Sequence, residues 1–503
     1  MAKRDQSSSP ARPREFDREP VTRRSVLSGA AALAAASAGT GLFGCRPAAV
    51  PGSAPAASTP SSAPAAPRPP GGNVVLRGAT VISMDGDVGD FESADILIEG
   101  EQIAAVAPSL ETSAEAIDAS NMIAMPGFVD THRHMWQGSL RNILPNGLLS
   151  DYGRDITGSA RRVYRPEDAY IGDLVIALGA INAGVTTVLD WSHIGNSPEH
   201  TDAAIDGLAE SGLRSVYAYG GGVAGPDNRY PDDIRRLRAE RFSSEDQLLT
   251  LALAAGTNTE HWAVAREVGA PITLHVNGSG QLLPLADAMG PDVTYIHAPN
   301  LTEEEWRLVA DTGGHISIAA PIEMEMGHGI PPIQQALDHG IRPSLSTDVE
   351  TEMPGDFFTQ MQSVFTLQRM QALARRRDGD AEAPELITVQ DVVEFATIQG
   401  AIDNALGSRT GSLTPGKQAD VILLRKDAIN VMPVNNAYGA VVLGMDTSNV
   451  DTVFIAGQVR KWQGALTNVD LDRIERLVEE SRDYIVSAAG WPQTLFGGYL
   501  PGH

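Results

Sequence analysis

Pro126-Gly127-Phe128-Val129-Asp130-Thr131-His132-Arg133-His134-Met135-Trp136 is the stretch whose reading decides the fold. Phe128–Asp130 reads as a short buried strand, and His132 and His134 follow at its C-terminal end. Two residues apart in extended chain, both imidazoles point to the same side, where one metal ion can take both. A lone His-x-His arises by chance on many surfaces, so its meaning depends on what surrounds it.

Outward from it, short apolar runs recur at Phe128–Asp130, Val185–Asp190, Leu213–Tyr219, Leu248–Ala254, Ile272–Val276, Val293–Ala298, Ile316–Ala320 and Arg342–Asp348. Amphipathic stretches separate them, among them Pro166–Asn182, Pro198–Ser211, Asn258–Val268 and Thr302–Thr312. Asn300-Leu301-Thr302 ahead of Glu303–Glu305 reads as a helix start with acids in its first turn. Eight strand–helix alternations without an internal repeat predict an α/β fold, a TIM-like (β/α)8 barrel, with a doubly wound open sheet as the rival. A barrel puts its chemistry just after the strands, at the C-terminal rim. His275 in Pro271-Ile272-Thr273-Leu274-His275, His297 in Val293-Thr294-Tyr295-Ile296-His297 and Asp348 in Ser344-Leu345-Ser346-Thr347-Asp348 all fall there.

His132, His134, His275 and Asp348 supply three nitrogens and one carboxylate around an open position. That set suits one divalent metal ion holding a water, with Zn2+ expected and Fe2+ the alternative. The metal lowers the pKa of that water and yields a hydroxide nucleophile. Asp348 is then the catalytic group that takes the proton and later delivers it to the leaving group. His297, one strand over, is placed to hydrogen-bond the hydroxide or the developing oxyanion.

The chain of 503 residues carries a net charge of −25, which argues against a nucleic-acid partner and leaves a small-molecule substrate. Residues 1–45 differ, with seven Lys/Arg against four acids, and Thr22-Arg23-Arg24-Ser25-Val26-Leu27 precedes an Ala/Gly/Leu run. That layout is a twin-arginine export signal, so the protein is expected outside the cytoplasm: periplasmic, extracellular or lipid-anchored. Cys45, the only cysteine, closes Leu42-Phe43-Gly44-Cys45 like a bacterial lipoprotein cleavage site and offers a membrane tether. A single cysteine excludes an internal disulfide. Residues 46–72 are a Pro/Ala/Ser-rich linker. Strand-like runs at Val74–Arg77, Ala94–Ile98, Asp420–Leu424 and Val450–Ile455 belong to a small β-domain. Asn468–Ala489 reads as a C-terminal helix that packs on the barrel or on a second subunit of a homo-oligomer.

Together these features resemble the amidohydrolase superfamily over roughly residues 73–465. The resemblance rests on the Pro126–His134 stretch, the His on strand five, the His on strand six and the Asp on strand eight. Gly411-Ser412-Leu413-Thr414-Pro415-Gly416-Lys417-Gln418-Ala419-Asp420-Val421 resembles the family's return into a small β-sandwich built from both ends of the chain. The implied division is 73–124 and 411–465 for that domain, 125–410 for the barrel, and 466–503 for a helical extension. Within the superfamily the chain is most similar to the triazine hydrolase and cytosine/guanine deaminase branch, whose members hydrolyse C–N or C–Cl bonds on nitrogen heterocycles. Binuclear relatives often bridge two metals with a carboxylated lysine on strand four. Here the lysines are Lys3, Lys417, Lys426 and Lys461, none in the barrel, so a mononuclear site is expected.

One departure matters. Ring deaminases of this branch usually carry a Glu three residues after the strand-five His, and here Gly278 stands there. Glu323 or His328, past run seven, is expected to face the substrate and take over part of that Glu's role. Trp136, Gln137 and Asp190 are further candidates for substrate binding, with His193 beside them, and Glu350 and Glu352 read as solvated loop acids. The expected activity is metal-dependent hydrolysis of a non-peptide C–N bond, an amide, amidine or amino group, on a small cyclic or heteroaromatic substrate. Dehalogenation, elimination or decarboxylation at the same metal site is the alternative, and a non-catalytic tethered binding protein the third.

Overall fold

The computed structural model describes residues 69–244, 246–492 and 495. The export signal, Cys45 and most of the linker lie outside these residues. Five strands come first: β1 (Val74–Val81), β2 (Phe91–Glu99), β3 (Gln102–Ala107), β4 (Glu115–Asp118) and β5 (Met122–Pro126). The barrel follows as β6 (Phe128–Arg133), β7 (Val185–Gly195), β8 (Arg214–Gly221), β9 (Leu249–Ala255), β10 (Ile272–Val276), β11 (Val293–His297), β12 (His315–Ile318) and β13 (Ser344–Leu345). The chain then returns through β14 (Val421–Arg425), β15 (Val450–Ile455), β16 (Gln458–Trp462) and β17 (Ala465–Leu466).

Each expected barrel run becomes a strand, and β6 to β13 pair in sequence order as one parallel sheet of eight. The alternation of β10 shows how the sheet is positioned. Ile272, Leu274 and Val276 enter the main core under the helices, which leaves Thr273 and His275 to the barrel's inside. The first and last strands meet through a single parallel bridge between Arg133 and Asp348. The expected helices Pro166–Asn182 and Pro198–Ser211 form with those bounds. Thr302 caps the helix Glu303–Thr312, accepting from Glu305 N, while Glu305 reaches back to Thr302 N.

The terminal strands form a single mixed sheet of nine, in which β5 pairs antiparallel with β14. Both ends of the chain therefore build it. The helix Leu471–Ala488 packs Ile474, Leu477 and Val478 against Ile171, Leu174 and Leu178 of the first barrel helix, so its apolar face is used within the chain. Among the described residues no helix is long and apolar enough to cross a membrane.

Barrel and sheet are locked by one buried ion pair. Arg214, at the start of β8, holds Asp420 in a two-pronged contact of 2.7 and 3.0 Å, both side chains being 1 % exposed. Asp420 also accepts from Thr410 Oγ1 and from the Ala456 amide. Removing one partner strands a buried charge. We expect Arg214→Met to lower stability in urea unfolding by about 3–5 kcal/mol, and adding Asp420→Asn to restore part of it. An unchanged midpoint would refute this role.

Candidate metal centre

His132 ends its strand inside the barrel, and His134 follows it at the start of the short turn Met135–Leu140. His275 comes from β10 and Asp348 from the segment after β13. Four ligand atoms, one from each, lie within 4.8 Å of one another. His275 Nε2 stands 3.2 Å from His132 Nε2, and Asp348 Oδ1 stands 3.0 Å from His132 Nε2 and 3.4 Å from His134 Nε2. His134 spends its other nitrogen donating to the Trp191 carbonyl at 2.8 Å, so its bare lone pair points to the cluster.

Burial holds all three imidazoles in the neutral form that binds metals, pushing His134 down to about 3. Although burial opposes its charge, Asp348 is held well below the usual carboxylate range by the His132 hydrogen bond and the His297 charge. Lone pairs that face one another in a dry site repel unless a cation lies among them. The donor set therefore fits a divalent metal ion.

His297 sits beside this set, its Nε2 3.7 Å from Asp348 Oδ2. Its Nδ1 meets Glu323 Oε1 at 3.0 Å, and that carboxyl also accepts from the Ala319 amide at 2.8 Å. Burial works against an imidazolium here, but the Glu323 bond and the Asp348 charge outweigh it and raise His297 above its ordinary pKa. His297 and Asp348 both adopt left-handed backbone, φ 68° and 66°, which side chains other than glycine's rarely tolerate. In β11, Tyr295 packs outward against Val309 and Gly314, and simple alternation would send His297 the same way. The left-handed turn brings it inward instead.

Above these groups opens a cavity of about 230 Å3. His134, His275, His297 and Asp348 form its floor, and Trp191, Tyr152, Leu149, Met326 and Val349 its largely apolar walls. His193, His328 and Asn277 add polar points. His328 Nδ1 meets Asn277 Oδ1 at 3.2 Å while Nε2 has no partner, and burial pushes it to about 4.

Other expected substrate contacts fall elsewhere. Trp136 and Gln137 are fully enclosed behind the cavity: the indole donates to His193 Nδ1 at 3.2 Å, and the Gln137 amide donates to Tyr152. Asp190 shares its face of β7 with the outward residue Val188, accepts from the Met135 amide, and lies against Asp173, whereas its neighbour Trp191 faces the cavity. Glu323 is wholly buried and reaches the cavity only through His297, while His328 does line it. Glu350 and Glu352 are not solvated. Glu350 is clamped by Arg133 and Arg141, and Glu352 is buried beside Thr351 and raised by that burial to about 8. Sequence reasoning missed Tyr152, Leu149, Met326 and Asn277. Trp191 was legible, since strand alternation puts it opposite Asp190.

The Amidohydrolase family profile matches residues 123–460. The 5'-deoxyadenosine deaminase of Methanosarcina barkeri is 25% identical over 415 residues, covering 77% of this chain and 92% of that protein. Among solved structures, a zinc-bound adenosine deaminase from Xanthomonas campestris superposes with a TM-score of 0.70 at 18% identity, covering 82% of this chain and 98% of that one. The zinc complex of atrazine chlorohydrolase from Arthrobacter aurescens gives 0.69 at 24%, covering 81% and 100%. With most of its length matched and a divalent metal centre at the barrel's rim, this chain belongs to the amidohydrolase family, as a hydrolase of carbon–nitrogen bonds other than peptide bonds.

Proposed function

We propose that the chain is a mononuclear zinc hydrolase that removes an amino or amide nitrogen from a small nitrogen heterocycle. The observation that carries this is the union of a three-His, one-Asp donor set with a polar floor and apolar walls in one cavity of about 230 Å3. That volume lies below the ~300–1,000 Å3 of pockets for drug-sized ligands and suits a single ring with a short substituent. The adenosine-type and triazine relatives support a nitrogen heterocycle, and the zinc in two of their folds supports Zn2+ over Fe2+.

When bound, the metal supplies Lewis acidity and a water acidic enough to attack at neutral pH. The protein does the rest. Asp348 directs Oδ1 at His132 and His134, and its Oδ2 takes the proton of the attacking water and returns it to the departing amine. Glu323 accepts the Nδ1 proton of His297, so the imidazolium presents Nε2–H to the oxygen or ring nitrogen that gains charge. Glu323 is thus a positioning residue. His328, neutral at ordinary pH, offers Nε2 to a polar atom of the ring, and Trp191 and Tyr152 give flat walls for its faces.

A second reading has one observation in its favour: among the described residues Asp348 is the only carboxylate lining the cavity. Displacing a halide needs no protonated leaving group, so dehalogenation remains open to this site. Export through Arg23-Arg24, with Cys45 as the tether, belongs to the same proposal and rests on the sequence of residues 1–45.

Protein purified without chelator is expected to hold about one zinc per chain. It should release ammonia from some member of a panel of cyclic amides, pterins, purines and triazines, and Asp348→Asn should cut turnover by about 100- to 10,000-fold. Chloride without ammonia would favour the second reading, and absence of metal would refute both. The Glu323 carboxylate raises the pKa of His297, so Glu323→Gln lowers it, and protonated His297 is lost at lower pH. The alkaline limb of kcat should therefore move to lower pH; an unmoved limb would end this assignment. For export, Arg23→Lys with Arg24→Lys should retain the full chain in the cytoplasmic fraction, and unchanged fractionation would refute it.

A further inference from the structure

His297, His328 and Asp348 make a second cluster of donors beside the first. One ligand atom from each lies within 4.8 Å of the others, and all three residues line the cavity, so an ion that enters it can reach them. The two imidazole rings stand 4.5 Å apart, centre to centre, at 62° to each other. Asp348 belongs to both clusters. Its Oδ1 faces His132 and His134, while its Oδ2 lies 3.7 Å from His297 Nε2. A carboxylate divided in this way can bridge two cations, as in two-metal sites with ions ~3.5–4 Å apart.

What stands behind each ring decides which nitrogen it offers. The Asn277 side-chain oxygen only accepts, so at 3.2 Å it fixes the proton of His328 on Nδ1 and leaves Nε2 a bare lone pair. That nitrogen has no partner, in a side chain only 8 % exposed. An acceptor kept from water and from every donor costs free energy that a cation relieves. Glu323 takes the Nδ1 proton of His297 at 3.0 Å and is itself anchored by the Ala319 amide, so Nε2 turns towards Asp348. Metal-binding imidazoles are held in this manner, by an acceptor on the far nitrogen. At His297 Nε2 a cation and a proton compete for one lone pair, and binding of the cation releases the proton to solvent. With three donors against four, and a proton to displace, this cluster is the weaker of the two.

We propose that His297, His328 and Asp348 form a second, weaker divalent-cation site, and that surplus zinc bound there inhibits the enzyme. An ion in that corner occupies the two atoms on which hydrolysis draws: Asp348 Oδ2 as proton acceptor and His297 Nε2 as donor to the developing charge. The working enzyme therefore holds one metal, and free zinc sets the fraction that is active. The inhibition rests on the hydrolase reading above, whereas the site rests on its donors alone.

Metal-free protein titrated with Zn2+ in a calorimeter should take up two ions, the second about tenfold or more weakly than the first. His328→Gln should abolish the second event and leave the first within about twofold, and Asn277→Leu, which frees the His328 ring, should weaken the second by about 10- to 100-fold. X-ray absorption with both sites filled should show a zinc–zinc distance of ~3.5–4 Å that His328→Gln removes. A single uptake event, a second one that survives His328→Gln, or two ions without that distance overturns the site. With a substrate from the ammonia-release panel, filling the second site should cut kcat by about 100-fold or more. His328→Gln, measured against its own rate at one equivalent of zinc, should resist that loss. Full turnover with both sites filled overturns the inhibition. No ammonia at one equivalent would sink the hydrolase reading and the inhibition with it, while the calorimetry still judges the site.

Discussion

The seam between the first and last barrel strands is the constraint on which the site depends. The His134 amide donates to the Asp348 carbonyl at 2.8 Å, and the Asp348 amide donates to the His132 carbonyl at 3.0 Å. Residues from opposite ends of the barrel thereby come into register, and three of the four ligands are fixed by two backbone bonds. Arg133 reinforces the join from behind. Its guanidinium reaches Asp130 at 2.7 Å, Glu350 at 2.8 Å, Thr347 at 2.7 Å and the Gly355 carbonyl at 3.2 Å, all within a buried shell. A charge enclosed so fully is tolerable because every arm is met.

The same economy explains the division of labour among the histidines. Those that face the ligand cluster are dry, and burial outweighs the pull of Asp348 and, for His132, of Asp130, so they stay neutral. His297 alone has a second carboxylate, Glu323, against its far nitrogen, and so it favours a proton. Identical side chains take opposite roles because of what stands behind each ring.

Much of this was legible in sequence. The apolar runs located the eight strands, and the rim rule picked out His275, His297 and Asp348 without any contact information. What was hidden follows from three physical causes. Residues such as Tyr152 and Met326, in or at the end of single-turn helices too short to show a period, carry nothing in the chain that ties them to a cavity. Alternation separates Asp190 from Trp191, but polarity pulls attention to the aspartate, which in fact shares the outward face of Val188. Long-range pairing turned the supposed loop acid Glu350 into a buried partner of Arg133 and Arg141, a relation across more than two hundred positions.

That distance also bears on how the molecule is made. The bond between His132 and Asp348 spans 216 positions, and β5 finds β14 only after the entire barrel has been synthesised. Closing the barrel and the terminal sheet waits on pairings of high sequence separation, which slow assembly by the usual dependence of rate on contact separation. Until β13 and β14 emerge from the ribosome, β6 and β5 respectively keep one edge unpaired, the condition under which nascent chains associate wrongly. Two strand edges left open until late in synthesis are therefore a liability written into the topology itself.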